Sequence, residues 1–406
     1  MHVPRLLAPV IGALPVLTLL FLPLAAAGAP SVLHDMVERA WLRAPAARGV
    51  SARQAEVDAA RDLAGAWVAG QPVLGLSQRN GRSHAADGLR ESEVSMSAPV
   101  WTPGQRNARR SLAEQSAAKL DAHARKTRLD VAGEVRMRLW DAAAARALLD
   151  EREGHLHHIE DLTEEVRLRV AAGELARVDA LLAEQEVYAA RIAVQQAKAE
   201  VLATLAKLQI LTGPLAVLPT EPEPLAPEAA ATDPRLLAAR ATESRAQAAL
   251  QLAQASRSAP PTIGLSLRRE RDSPLAAPER SLGLSLQVPL GSAGRNRPAE
   301  TQVQTQIAVA AAEARQTEDT VREELALARL QLDNARAMRA TARARAAAMR
   351  EHHQLIDKAF KLGERGLADL LRSRALSHEA DVAERQQEVA LGRAHAQFNQ
   401  ASGVLP

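Results

Sequence analysis

The chain has no cysteine. That excludes disulfides, thiolate metal sites and a lipid attached to an N-terminal cysteine, so the fold rests on burial alone. Aromatic residues are scarce, at 2%, with one Tyr and three Phe. Large globular cores usually depend on them. The apolar 47% is mainly Ala, Leu and Val, which suits narrow seams between helices. Charge of one sign is also missing: 51 basic and 48 acidic residues are interspersed, for a net +3. No basic stripe is interleaved with aromatics, so no nucleic-acid partner is expected. Beyond the N-terminus no run reaches the roughly 18 apolar residues of a spanning helix. There is no nucleophile elbow, phosphate loop, HExxH or pair of catalytic carboxylates. No enzyme activity and no cofactor are expected.

What is present begins with MHVPRLLAPVIGALPVLTLLFLPLAAAGAP. A basic start, an apolar stretch and small residues predict a signal peptide over 1–27, cut after Ala27. Its four prolines disfavour a retained membrane helix.

The mature chain reads as a duplication. GELARVDALL at 173–182 is echoed by GERGLADLL at 363–371. Gly104 pairs with Gly294, Pro99 with Pro289, and Thr212-Gly213 with Ser402-Gly403, each 190 residues apart. Upstream the offset is 189, where VLGLS at 73–77 meets TIGLS at 262–266 and Pro45 meets Pro234. A repeat of this length is a half-molecule rather than a solenoid unit. The expected organisation is a first repeat over 28–213, a Pro/Glu-rich linker over 214–231 and a second repeat over 232–406.

Each repeat reads helix, strand, strand, long helix, helix. Helices are expected over 31–69, 103–171 and 174–212, then 233–257, 297–361 and 364–402. Strands are expected over 73–79, 92–101, 262–269 and 281–289. A helix of roughly 70 residues spans about 105 Å, too long for a compact domain. Antiparallel rods follow, with turns at Gly173 and Gly363. Leu181, Tyr188, Ile192, Ala199, Leu202 and Leu205 have coiled-coil spacing and are expected to form a seam.

The strands alternate strictly. Val94, Met96, Ala98 and Val100 share one face; so do Ile263, Leu265 and Leu267, and Leu282, Leu284 and Leu286. The apolar face fits a soluble sheet on a core, or a barrel wall facing lipid. Four strands cannot close a barrel, and open edges are not tolerated in lipid. A membrane sheet would therefore be shared, and three chains give an even twelve strands. Trp101 is the one evident member of an aromatic girdle.

These features together resemble the TolC-like outer-membrane efflux proteins. The strand-to-helix passages PVWTPGQRNARR and VPLGSAGRNRP and the two tip motifs carry the likeness. It implies a mainly α fold with a small β part. A homotrimer would share a 12-stranded barrel in outer-membrane lipid, above a helical barrel crossing the periplasm. The tips Ala172, Gly173, Glu174 and Leu175, with Leu362, Gly363, Glu364, Gly366 and Leu367, would dock a periplasmic adaptor serving an inner-membrane pump. The chain is most similar to the branch serving heavy-metal pumps of the resistance-nodulation-division type. By the same likeness Asp179 and Asp369 would line the pore gate, braced by Arg365 and Phe360. Phe360 stands where the family often has Tyr, and Arg372 where a second pore Asp is usual. The competing reading is a soluble periplasmic coiled-coil spacer or chaperone.

The cluster HLHHIED places His155, His158 and Asp161 on one helix, with His158 and Asp161 on a shared face. A metal site is chemically conceivable there, but a solvated His-bearing face is the preferred reading, and no metal is expected.

Overall fold

A computed structural model of the protein describes residues 32–81, 89–214, 218, 221–226, 232–272 and 277–406. The expected signal peptide and much of the expected linker lie outside them.

The first repeat runs α1 (Val32–Arg43), α2 (Pro45–Gly65), β1 (Val73–Asn80), β2 (Arg90–Pro99), α3 (Gln105–Ala171) and α4 (Arg177–Thr212). The second runs α5 (Pro234–Ala255), β3 (Thr262–Arg271), β4 (Glu279–Gln287), α6 (Ala293–Lys361) and α7 (Leu367–Ala401). At 67 and 69 residues, α3 and α6 are each about 100 Å long. The fold is mainly helical with one small antiparallel sheet.

The single helix expected over 31–69 is two. Ala44 adopts φ −63 and ψ 132, and Pro45 opens α2. A proline forces its predecessor out of the helical region and itself suits a first helical position. In the second repeat Pro234 opens α5 in the same way. Among the described residues α1 has no helical counterpart there; the chain at 221–226 is not helical, and its Pro222 and Pro224 offer no backbone donor. α6 begins at Ala293, earlier than expected, and carries Pro298 within its opening turns.

Arg136 of α3 pins that inter-repeat segment. It is 2% exposed. Its Nε and Nη2 donate to the Glu223 carboxylate at 3.0 and 2.8 Å, and its Nη1 to Gln400 Oε1 at 2.7 Å. Asn399 of α7 closes the clamp, donating to Pro224 O and accepting from Ala226 N–H. The segment read as a linker is thus tied to the middle of the helical body.

The helices pack as two hairpins, α3 with α4 and α6 with α7, joined where α3 meets α5 and α7. Small residues make the seams: Ala145, Val194, Ala197 and Val201 between α3 and α4, and Ala328, Ala335, Ala394 and Ala401 between α6 and α7. Gly392 lets α7 cross Trp140 so closely that a Cβ there would overlap the indole. Most of the stripe expected to form the α4 seam lies on the other face, although half-buried Leu205 does pack on the seam. Leu181, Tyr188, Ile192, Ala199 and Leu202 are exposed, while Ala183, Val187, Ala190, Val194, Ala197 and Val201 face α3. Smaller side chains win the seam because they let the helix axes approach.

Candidate functional site

The four strands form one sheet in the order β1-β2-β3-β4. The register stacks apolar residues in rows: Leu74, Met96, Leu265 and Leu284, then Leu76, Val94, Leu267 and Leu282. A third row holds Ala98, Ile263 and Leu286. Among the described residues no helix packs on this face. Apart from half-buried Ala98 its apolar side chains are exposed, Leu284 to 79%. Val100 falls one residue beyond β2, although its N–H still donates to Pro261 O at 2.7 Å.

The other face is small and polar. Gly75, Ser95, Ser266 and Gly283 form one row, and Ser97, Gly264 and Ser285 another. The glycines nest against the serine hydroxyls, so a Cβ at Gly75 would lie 2.5 Å from Ser95 Oγ. Farther along, Glu91 is buried and its carboxylate forms an ion pair with Arg268, Nε to Oε1 3.0 Å.

Where strands meet helices, Trp101 turns inward and its Nε1 donates to Ala66 O at 2.9 Å. Trp67 instead stands 96% exposed just before β1. It was missed in the sequence because it lies outside any strand. On a lipid-facing sheet it would occupy the interface, where indoles are favoured.

At the opposite end both hairpins close through the same turn. Gly173 and Gly363 take φ +79 and +75, in the left-handed region that favours glycine. The N–H groups of Glu174 and Glu364 reach back to Arg169 O and Ala359 O, both at 2.9 Å. This is a Schellman closure. Ala172, Gly173, Glu174, Leu362, Gly363, Glu364 and Gly366 are exposed and Leu175 is half-buried. Leu367 is not at the surface. At 3% exposure it joins Leu162, Val166, Ala183, Phe360 and Leu370 in a cluster fastening the two hairpins together. Phe360 is likewise a core residue, 4% exposed, under the Arg169 guanidinium at 4.9 Å.

The two tip aspartates differ. Asp179 caps its own helix, accepting from Ala176 N–H at 3.1 Å. Asp369 is exposed and faces Arg365 at 3.6 Å, one helical turn away.

The expected histidine set does not converge. His155 stacks on His378 of α7, with ring centroids 3.9 Å apart. Asp161 lies 3.7 Å from His157 instead. Among the described residues no three ligating side chains gather around one point. Burial holds both stacked imidazoles down to about 4, and neighbouring positive groups add to the effect. His378 carried no local signal, because its partner lies in the other repeat.

No helix of the described residues is long and apolar enough to cross a membrane. Residues 38–214 match the outer membrane efflux protein family. Comparison with curated protein sequences finds no match. Several solved structures share the fold. A membrane protein from Pseudomonas aeruginosa superposes with a TM-score of 0.73 at 19% identity, covering 91% of this chain and 93% of that one. The outer membrane protein VceC from Vibrio cholerae gives 0.70 at 16%, covering 91% and 96%. The open state of the Neisseria gonorrhoeae MtrE outer membrane channel gives 0.68 at 16%, covering 91% and 88%.

Proposed function

We propose that this chain, whose residues 38–214 match the outer membrane efflux protein family and whose fold is shared with outer-membrane channels, is a TolC-like outer-membrane duct of a tripartite efflux system. One observation carries the reading: a sheet with a bare apolar face and two open edges. In water that face would need a cover, and a soluble spacer would have to supply one. In lipid the face is satisfied but the edges are not. Three copies of four strands close a ring of twelve with no edge left. The Gly/Ser face then lines the water-filled interior, and its lack of bulk keeps the passage wide.

The helices support the same assembly. α4 uses its small-residue face on α3 and leaves Tyr188, Ile192 and Leu202 bare. α6 packs on α7 and leaves Leu327, Leu330 and Leu355 bare. In a closed ring of helices every member has two neighbours, so these stripes meet the adjacent subunits. The rods extend from the outer membrane into the periplasm, and the exposed tips receive a periplasmic adaptor and, through it, an inner-membrane pump of the resistance-nodulation-division type. Asp369 and Asp179 repeat around the threefold axis, and a ring of carboxylates favours cations. Heavy-metal cations are the cargo this reading favours.

The test is reconstitution. Purified protein in planar lipid bilayers is expected to give stable single-channel conductance, with crosslinking that stops at a trimer. Protein that stays in solution without detergent as a single subunit overturns the proposal. Asp369→Asn is expected to reduce cation selectivity without changing assembly.

A further inference from the structure

The charged residues of the sheet are sorted by face. The carboxylates Glu91, Glu93, Glu270 and Glu279 lie on the Gly/Ser side, with Arg79 and Arg268, which pair with Glu91 at 3.6 and 3.0 Å. Four other arginines lie on the apolar side. Arg269 stands directly across from Arg280, and Arg90 directly across from Arg271. No strand carboxylate shares their face.

Like charges placed opposite each other on an antiparallel pair are destabilising, because their Cβ atoms are about 5 Å apart. Here the arrangement occurs twice in adjacent rows. Arg90, Arg269 and Arg280 are exposed and carry no hydrogen bond or ion pair among the described residues. Arg269 and Arg280, facing each other, therefore lack a counter-charge among the described residues, as does Arg90 beside them.

The position says what supplies it. Arg269 is two residues beyond Leu267, about 7 Å past the last apolar row. From Leu282 the apolar positions continue through Leu284 and Leu286, and beyond the end of β4 to exposed Val288 and Leu290. Eight residues span at most about 27 Å along the chain, or roughly 20 Å across a membrane at the tilt of a barrel strand, within reach of its apolar band. Trp67 marks the helical end of the band and the arginine pairs mark the far end. The guanidinium groups stand where lipid headgroups begin, on the lipid side of the wall.

We propose that Arg269 of β3 and Arg280 of β4, with Arg90 of β2 beside them, form a binding site for phosphate-bearing lipid headgroups of the leaflet away from the helices. A guanidinium matches two phosphate oxygens at once, and two facing guanidinium groups clamp one dianionic headgroup. The inference rests on the membrane reading of the sheet. A soluble anion is disfavoured because the site opens beside an apolar band rather than into a polar cleft.

The experiment uses the full-length assembly in detergent, titrated with phosphatidic acid, phosphatidylcholine or inorganic phosphate at constant ionic strength, reading thermal stability. Phosphatidic acid is expected to stabilise saturably and phosphatidylcholine far less, because choline masks its phosphate. The Arg269→Gln/Arg280→Gln double variant is expected to bind phosphatidic acid at least tenfold more weakly. Arg79→Gln, on the opposite face, is expected to leave that affinity unchanged. Equal responses of the wild type to the two lipids, or of the wild type and the double variant to phosphatidic acid, overturn the site. So does full replacement of the lipid by inorganic phosphate at the same concentration. Protein that conducts in bilayers yet shows no lipid preference refutes this site alone; failure to insert refutes the membrane reading first.

Discussion

α3 and α6 hold equivalent places in the two repeats and differ in length by two residues, yet their surroundings are unlike. α3 touches α1, α2, α4, α5 and α7, whereas α6 packs against α5 and α7. α3 buries large side chains along most of its length, among them Leu129, Val135, Leu139, Trp140 and Val166. α6 buries mainly Ala and Val, with Leu332 and Phe360 as its large exceptions. Duplication supplied two similar helices, but burial depends on neighbours. The helix enclosed within one subunit carries the core, and the helix at the edge keeps a bare apolar stripe.

The comparison is broken most severely at Arg136, the one buried cation of α3. Arg136→Met leaves Glu223 and Gln400 without their partner, and removing one side of a buried ion pair costs about 3–5 kcal/mol. Chemical denaturation is expected to register that loss together with release of the inter-repeat segment to proteolysis. An unchanged midpoint would mean that the clamp contributes nothing.

A smaller loss is expected where α7 crosses α3. Gly392→Ala drives a methyl into the buried Trp140 indole, at a cost of about 2 kcal/mol. The contrasting change is Gly154→Ala on α3, where a Cβ meets nothing within 4 Å. Relief of glycine's helix penalty is expected to raise stability there by about 0.5–1 kcal/mol.

Acid gives the third test, again at the α3–α7 junction. His155 and His378 have imidazoles lowered to about 4 from 6.5, with Arg374, Arg152 and His158 around them. The unfolded chain binds these protons more readily than the folded one. Stability is therefore full above about pH 6.5 and is lost progressively as pH falls toward 4. The His155→Gln/His378→Gln variant is expected to flatten melting temperature against pH in that window; an unchanged slope assigns the acid sensitivity elsewhere.

The smallest effect on the chain itself is expected at the edge. Tyr188→Glu on α4 and Leu330→Glu on α6 replace exposed side chains, so each subunit should keep its stability to within about 0.5 kcal/mol. Crosslinking is nevertheless expected to show loss of the trimer. If both variants still assemble, the stripes are not the contact between subunits.

Much of the architecture was readable from local pattern. Strict alternation placed the four strands and their apolar faces, because a period of two leaves a side chain only two directions to point. The tip glycines were readable because the left-handed turn admits few other residues. The break before Pro45 was legible too, in the rule for residues preceding proline, but it was passed over in favour of one long helix.

Other features were decided only by tertiary contact. On an Ala-rich helix several faces are almost equally apolar, so spacing chose the bare stripe of α4 over the one packed on α3. Nothing near Leu367 or Phe360 tells a surface tip residue from the cluster that joins the hairpins. The Arg136–Glu223 clamp and the His155–His378 stack each unite residues far apart in the chain. Local sequence sets which backbone shapes are cheap; which of several similar faces is buried depends on what the rest of the fold brings against it.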